Sequence, residues 1–307
     1  MGMNGKTIRL YLVNGSPTDI LTAEIINWTG KIIVAPRSQL AELAMREEVK
    51  RTGVYVLVGP DPDATMRDAV YFGEGDNVLK RLTAHDKDES KDFWTRCAVV
   101  ISKDQNITKS HGRYLESRLI TIAHQADRAK IHNGTAPPPP LLPEPDIADM
   151  EYFVGQLQII LPALGFNFLQ PKPIAIPSNG GGSTDPESPF FCLTVVGAEA
   201  KAREVAGEFV VLKGSTARKE GLKSWTSYKA LRDQLVAEGK LIDSNQPDYY
   251  MFDEDVAFSS PSAGAAVVNA GNMNGRTSWK TADTGDTYQQ WHEKKLAAAS
   301  PDDDSDE

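Results

Sequence analysis

The chain has 307 residues, 40% of them apolar, enough for two domains with packed cores; wholesale disorder is excluded. The net charge of −9 argues against a surface that is basic all over, but five of the acids fall in Pro301–Glu307 and residues 51–135 are near charge balance, which leaves room for a local basic face. No apolar stretch approaches membrane-spanning length and the N-terminus has no leader-like apolar run, so a cytoplasmic protein with no membrane partner is expected.

Taken in chain order, Thr7–Val13 and Gly30–Val34 read as strands, and Pro36-Arg37-Ser38 introduces a helix over about 39–49. Gly53–Val58 alternates, with Val54, Val56 and Val58 on one face and Tyr55 and Leu57 on the other. A turn-rich Gly59-Pro60-Asp61-Pro62-Asp63 follows, then a strand over Ala69–Gly73. If the two strands pair as a hairpin, Tyr55 and Tyr71 share a face, opposite Val70 and Phe72. A short helix then carries Val78, Leu79 and Leu82 inward and sets Arg81 and His85 four apart on one side. Phe93–Ile101 is a further strand, and about 108–130 a longer helix with an apolar stripe of Leu115, Leu119, Ile122, Ala126 and Ala129; Glu116 sits at its edge.

Residues 136–147 form a proline-rich linker, and a helix spans about 147–164 within a segment 148–189 that ends in a mobile loop. The triple glycine Gly180-Gly181-Gly182 in that loop lacks the Gly-Lys-Ser/Thr of a phosphate loop. A second module over 190–285 has strands near 190–196 and 208–213, a helix near 227–238 and a small helix capped by Ser262. Residues 292–307 read as an acidic disordered tail. Cys97 and Cys192 lie far apart in apolar runs, which predicts buried free thiols, with no disulfide or cysteine zinc site.

Two tyrosines, an arginine, a histidine and a helical carboxylate can together hold one divalent metal and attack a phosphodiester. Each also has a plain role. Strand tyrosines pack cores, Arg81 can pair with Glu74 or Asp76 at the surface, a helix-end histidine can touch carbonyls, and Glu116 can be a solvated face residue. In 213–232, Lys213, Arg218, Lys219 and Lys223 with Lys229 and Arg232 are interleaved with Trp225 and Tyr228. That fits either a backbone-tracking surface or a basic loop and helix with packed aromatics.

As an ordered set these residues resemble the GIY-YIG nuclease superfamily. Gly53-Val54-Tyr55 is similar to the first motif and Tyr71-Phe72-Gly73 to the second, with Gly53 and Gly73 the motif glycines. Arg81 stands at the arginine offset, ten after Tyr71, with His85 four further on, Glu116 in the metal-binding helix and Asn133 at the trailing asparagine. The resemblance covers about 50–135. It implies an α+β fold with a small mixed three-stranded sheet flanked by helices over 51–135, preceded by N-terminal strands and a helix over 1–50. It also implies a single Mg²⁺ or Mn²⁺ on Glu116, Tyr55 as general base, Tyr71 positioning water, Arg81 on phosphate, and hydrolysis of DNA. Downstream, Phe258–Ala263 with Asn274-Gly275 and Trp279, preceded by Lys213-Gly214-Ser215, resembles a small α+β C-terminal domain of uncharacterised role that often follows bacterial GIY-YIG domains. The alternative is an inactive nucleic-acid-binding module, or a protein-interaction module with its partner on the C-terminal domain.

Overall fold

The computed structural model describes residues 5–62, 67–134, 136–171, 188–221 and 225–299. It divides into two units, Met1–Lys172 and Pro173–Glu307, each mixing helices and sheets in an α+β arrangement.

The first unit is built on one sheet. Strands β1 (Ile8–Leu12), β2 (Leu21–Ile25) and β3 (Gly30–Pro36) lead through a short helix α1 (Leu40–Ala44) to β4 (Gly53–Pro60) and β5 (Asp68–Gly75). Helix α2 (Val78–Asp86), β6 (Arg96–Ser102), α3 (Lys109–Ala126), β7 (Ala129–Ile131) and α4 (Glu144–Ala163) follow. The sheet order is β1-β2-β3-β6-β4-β5-β7, antiparallel throughout except for the parallel pair β5 and β7. Residues 51–135 supply four of its seven strands, one more than the three the resemblance implies, and the N-terminal strands β1–β3 join the same sheet. Strand β6 is a nearly continuous apolar run, and β3 pairs with it over seven residue pairs on the side away from β4.

Both faces of the central strands are buried, so all of β4 except Pro60 is inaccessible. Val54, Val56, Val58, Val70 and Phe72 meet Leu115 and Leu119 of α3 and Phe153, Leu157 and Leu161 of α4. Tyr55, Leu57, Cys97 and Val99 meet Val49, Val78, Leu82 and Trp94 on the other face. The wider sheet explains α4. One helix cannot cover seven strands, and burying each large apolar side chain gains about 1.5–3 kcal/mol. The proline-rich stretch thus leads α4 back onto the same core instead of separating domains, and positions 50/51 and 135/136 fall inside one unit. Arg118 grips Glu151 of α4 with Nε at 2.5 Å and a terminal nitrogen at 3.0 Å, and the Tyr114 hydroxyl donates to the same carboxylate.

Local departures have local causes. The helix foreseen over 39–49 is α1 flanked by two 3-10 turns, Arg37–Gln39 and Glu47–Lys50. Helix α3 stops at Ala126 because Asp127 turns left-handed (φ 46°), freeing Ala129–Ile131 to pair with β5. Strand β2 was not foreseen.

The second unit opens with β8 (Phe191–Val195), β9 (Ala198–Val205), β10 (Glu208–Val211), β11 (Thr216–Arg218), α5 (Lys229–Ala237), β12 (Leu241–Asp243), β13 (Tyr249–Phe252) and β14 (Val256–Phe258). It closes with α6 (Pro261–Asn269), α7 (Gly275–Ser278), β15 (Lys280–Thr281) and α8 (Tyr288–Ala299). A five-stranded sheet, β14-β10-β9-β8-β15, accompanies a three-stranded one, β11-β13-β12. The cap of α6 is Ser260, whose hydroxyl accepts from Ala263 N; Ser262 instead accepts from Gly275 N at 3.1 Å. A Cβ at residue 275 would stand 2.1 Å from the Pro261 carbonyl oxygen, which also takes the Trp279 indole N–H at 2.9 Å. The Ser-Pro-Ser, Asn-Gly and Trp pattern is thus a packing device joining α6 and α7. Helix α8 continues to Ala299, contrary to the disorder expected beyond Trp291; its first turn is anchored by Tyr288, tilted against Phe191, and Trp291, edge-on to it, both at 5.3 Å. The acidic residues 300–307 and the triple-glycine loop lie outside the described residues.

Both cysteines are free thiols. Cys97 is buried and its thiol is pushed up to about 12 by burial, whereas Cys192 is half-exposed rather than buried. No helix among the described residues is long and apolar enough to cross a membrane.

Candidate active site

The β4–β5 register sets Tyr55 opposite Gly73 and Leu57 opposite Tyr71, which puts both phenols on the α2 side of the sheet. Gly73 is what gives Tyr55 room. A Cβ there would lie 2.3 Å from the Tyr55 hydroxyl oxygen, so the ring rests on bare backbone. Gly53 is similarly confined, its Cβ position being 2.4 Å from the Val100 carbonyl oxygen across to β6.

Helix α2 begins at Asn77, whose side chain accepts from Lys80 N, and delivers Arg81 and His85 to the tyrosines. The Tyr55 hydroxyl lies 2.7 Å from His85 Nε2. Tyr55 is fully buried and His85 nearly so. The Tyr71 ring meets His85 edge-on at 5.1 Å, and Lys91 Nζ lies over the Tyr71 ring at 4.4 Å. The stem of Arg81 crosses Gly75, where a Cβ would stand 2.8 Å from its Cγ, and its guanidinium interacts with Tyr55, Tyr71 and Glu74.

Charge and burial set the protonation states. Burial, then the neighbouring Tyr71, push the Tyr55 phenol well above its ordinary value, against the pull of Arg81. Burial also raises Tyr71, with Glu116 the next cause. Burial, then the Arg81 charge, lower His85, so its imidazole is neutral at neutral pH. Glu116, half-buried on α3, is raised to about 7 by burial first and by Glu74 second, with Arg81 and Arg113 opposing.

Glu74 is the member that sequence reasoning left as a surface partner. It follows the second motif on β5, its side chain is 18% exposed, and Gly112 lets α3 pass close beside it. One carboxylate oxygen stands 3.9 Å from Arg113 Nε; the other is buried with no hydrogen-bond partner. The signal available in the sequence was its position, directly after Gly73 in a strand whose next inward neighbours are motif residues. Asp76, the other partner considered for Arg81, pairs with Lys109 at 3.0 Å.

Two carboxylates, one with an idle buried oxygen, suit a hard divalent cation that keeps several waters. No group of three or more histidine, cysteine, aspartate or glutamate side chains that could hold a metal occurs among the described residues, so a cation on these two carboxylates would take its other ligands from water or substrate.

The structure therefore brings together Tyr55, Tyr71, Arg81, His85 and Glu116. It does not bring Asn133 to them. Asn133 Nδ2 donates to the Phe72 carbonyl and its Oδ1 accepts from Phe72 N, both at 2.8 Å, so its amide extends the β5–β7 ladder. The described basic candidates lie in the second unit and each has a partner of its own. Lys213 is 3.4 Å from Asp253, Arg218 donates to Asn269 at 3.2 and 3.3 Å, and Lys219 is 2.6 Å from Asp243. Lys223 lies outside the described residues.

Residues 190–292 match a family described as a domain of unknown function (DUF4357), so the second unit carries a C-terminal domain of unknown function. No curated protein and no solved structure matches the chain.

Proposed function

We propose that the first unit is a GIY-YIG-type endonuclease that hydrolyses DNA phosphodiester bonds with one Mg²⁺ or Mn²⁺. The observation that carries this reading is the 2.7 Å contact between Tyr55 and His85 beside Arg81, with Glu116 and Glu74 facing the same group.

Arg81, the exposed member, meets the phosphate oxygens on which negative charge builds. Tyr55 does not ionise unaided. As the Tyr55 oxygen takes a proton from water, its own passes to the neutral His85. The new P–O bond forms, the P–O bond to the leaving strand breaks, and that oxygen is protonated by solvent. Tyr71, half-exposed, orients the water, and substrate has to enter against Tyr71 and Arg81 because Tyr55 is enclosed. Glu116 with Glu74 would hold the divalent cation, which would supply charge neutralisation for the phosphate. The C-terminal unit serves recognition of substrate or of a protein partner.

The test is cleavage of plasmid and single-stranded DNA by purified protein with Mg²⁺ or Mn²⁺, against Glu116→Ala and Arg81→Ala. Loss of cutting in both variants supports the proposal; undiminished cutting indicates a contaminant. Retention of DNA without cutting under either metal favours the binding-only alternative.

A further inference from the structure

In the second unit, α5, β13 and residues that follow β11 border an open cavity of about 470 Å³ lined by Lys219, Lys229, Arg232, Trp225, Tyr250 and Asp233. Three cations thus face one carboxylate. Arg232 is the unusual member. It is only 5% exposed, and its guanidinium lies 5.3 Å from the Trp225 ring and 5.2 Å from the Tyr250 ring. Its hydrogen bond goes to a neutral acceptor, the Lys219 carbonyl, at 2.6 Å. No ion pair of Arg232 or Lys229 occurs among the described residues, and burial lowers the Arg232 pKa. Buried charges are ordinarily paired. Here two aromatic faces hold the guanidinium in place without neutralising it. Lys219 is tied to Asp243, but that carboxylate is 77% exposed and readily gives way to a second anion.

We propose that this cavity binds the phosphates of a single-stranded nucleic acid, with Lys219 and Lys229 as the replaceable contacts and Arg232 as the fixed charge behind them. Its size suits one phosphate-bearing nucleotide, within the range of small-ligand sites. The assignment stands apart from the nuclease reading, since binding here needs neither the metal nor Tyr55.

The experiment is fluorescence anisotropy of a labelled single-stranded oligodeoxynucleotide with the full chain in EDTA, over a range of salt, so that no turnover contributes. Lys219→Ala/Lys229→Ala is expected to weaken binding at least about tenfold. It should also reduce the salt dependence by about 1.4 in log K against log salt, at about 0.7 per lost phosphate contact on a single strand. Inorganic phosphate and AMP should compete. A charge-matched Lys201→Ala/Lys280→Ala protein controls for net charge; these two lysines are exposed and do not line the cavity. Arg232→Lys, which keeps the charge but loses the planar fork, should weaken binding with the fold retained by circular dichroism. Equal losses in the two double variants, or an unchanged salt slope in Lys219→Ala/Lys229→Ala, would overturn the proposal. So would displacement by polyglutamate but not by phosphate, which would point to an acidic protein segment instead.

Discussion

The ring of Tyr55 lies directly over the backbone of Gly73, so closely that a β-carbon at residue 73 would come within 2.3 Å of the phenol oxygen. The second motif glycine therefore acts through the first motif tyrosine. Gly73→Ala is expected to cost about 1–3 kcal/mol, as overpacked cores do, read as a lower urea midpoint. It should also abolish cutting by displacing the hydroxyl from His85. Tyr55→Leu in the same chain should recover stability but not activity, and a stable, active Gly73→Ala protein would refute the contact.

Arg81 sits where a transition-state charge would be met. Arg81→Ala is expected to lower kcat by about 10²–10³, and Arg81→Lys to recover only part of it, measured under single-turnover conditions. An effect on KM alone would assign Arg81 to binding.

Under the proposed function, Glu116 would give the protein a pH-dependent response to metal. With its folded pKa about 7, above the ordinary carboxylate value of 4.5, its contribution favours the fold below 4.5 and is lost as the pH rises through about 7. A cation that takes the place of the proton reverses this loss. Mg²⁺ should raise Tm more at pH 8 than at pH 6, and Glu116→Gln should remove the difference. The acid limb of the rate profile should move to lower pH as metal concentration rises.

Glu74→Gln removes the second cause of the Glu116 shift. The Glu116 pKa should fall, followed by NMR titration of the carboxyl carbon, and Mg²⁺ affinity should fall with it if the idle Glu74 oxygen is a ligand. An unmoved Glu116 titration would place the two carboxylates out of reach of each other.

Helix α4 belongs to the first unit's core. Leu157→Ala is expected to destabilise that unit by about 2–5 kcal/mol in urea, and a fragment ending at residue 135 should show no cooperative transition.

Much of this site could be read along the chain because its members sit at simple periods. Alternation placed Tyr55 and Tyr71 on one face, and the four-residue step joined Arg81 to His85. What could not be read depends on partners distant in sequence. The width of the sheet depends on β3 meeting β6, and the fate of α4 follows from that width. Glu74 read only as a surface partner for Arg81, because nothing along the chain shows that α3 passes beside it at Gly112. Arg232 looked like one cation of six in a basic stretch, and only the folded positions of Trp225 and Tyr250 single it out. Asn133 read as the trailing asparagine of the resemblance, yet its amide is taken up by the backbone of Phe72.

The Asn133 amide has the two hydrogen-bonding groups of a peptide unit, and it uses them as one, adding a rung to the parallel pair after the backbone of β7 has run out. Aspartate there could accept but not donate and would leave a strand carbonyl idle. The chain thus departs toward its prolines from a fastened point, and the path that returns α4 to the sheet starts with its direction already set.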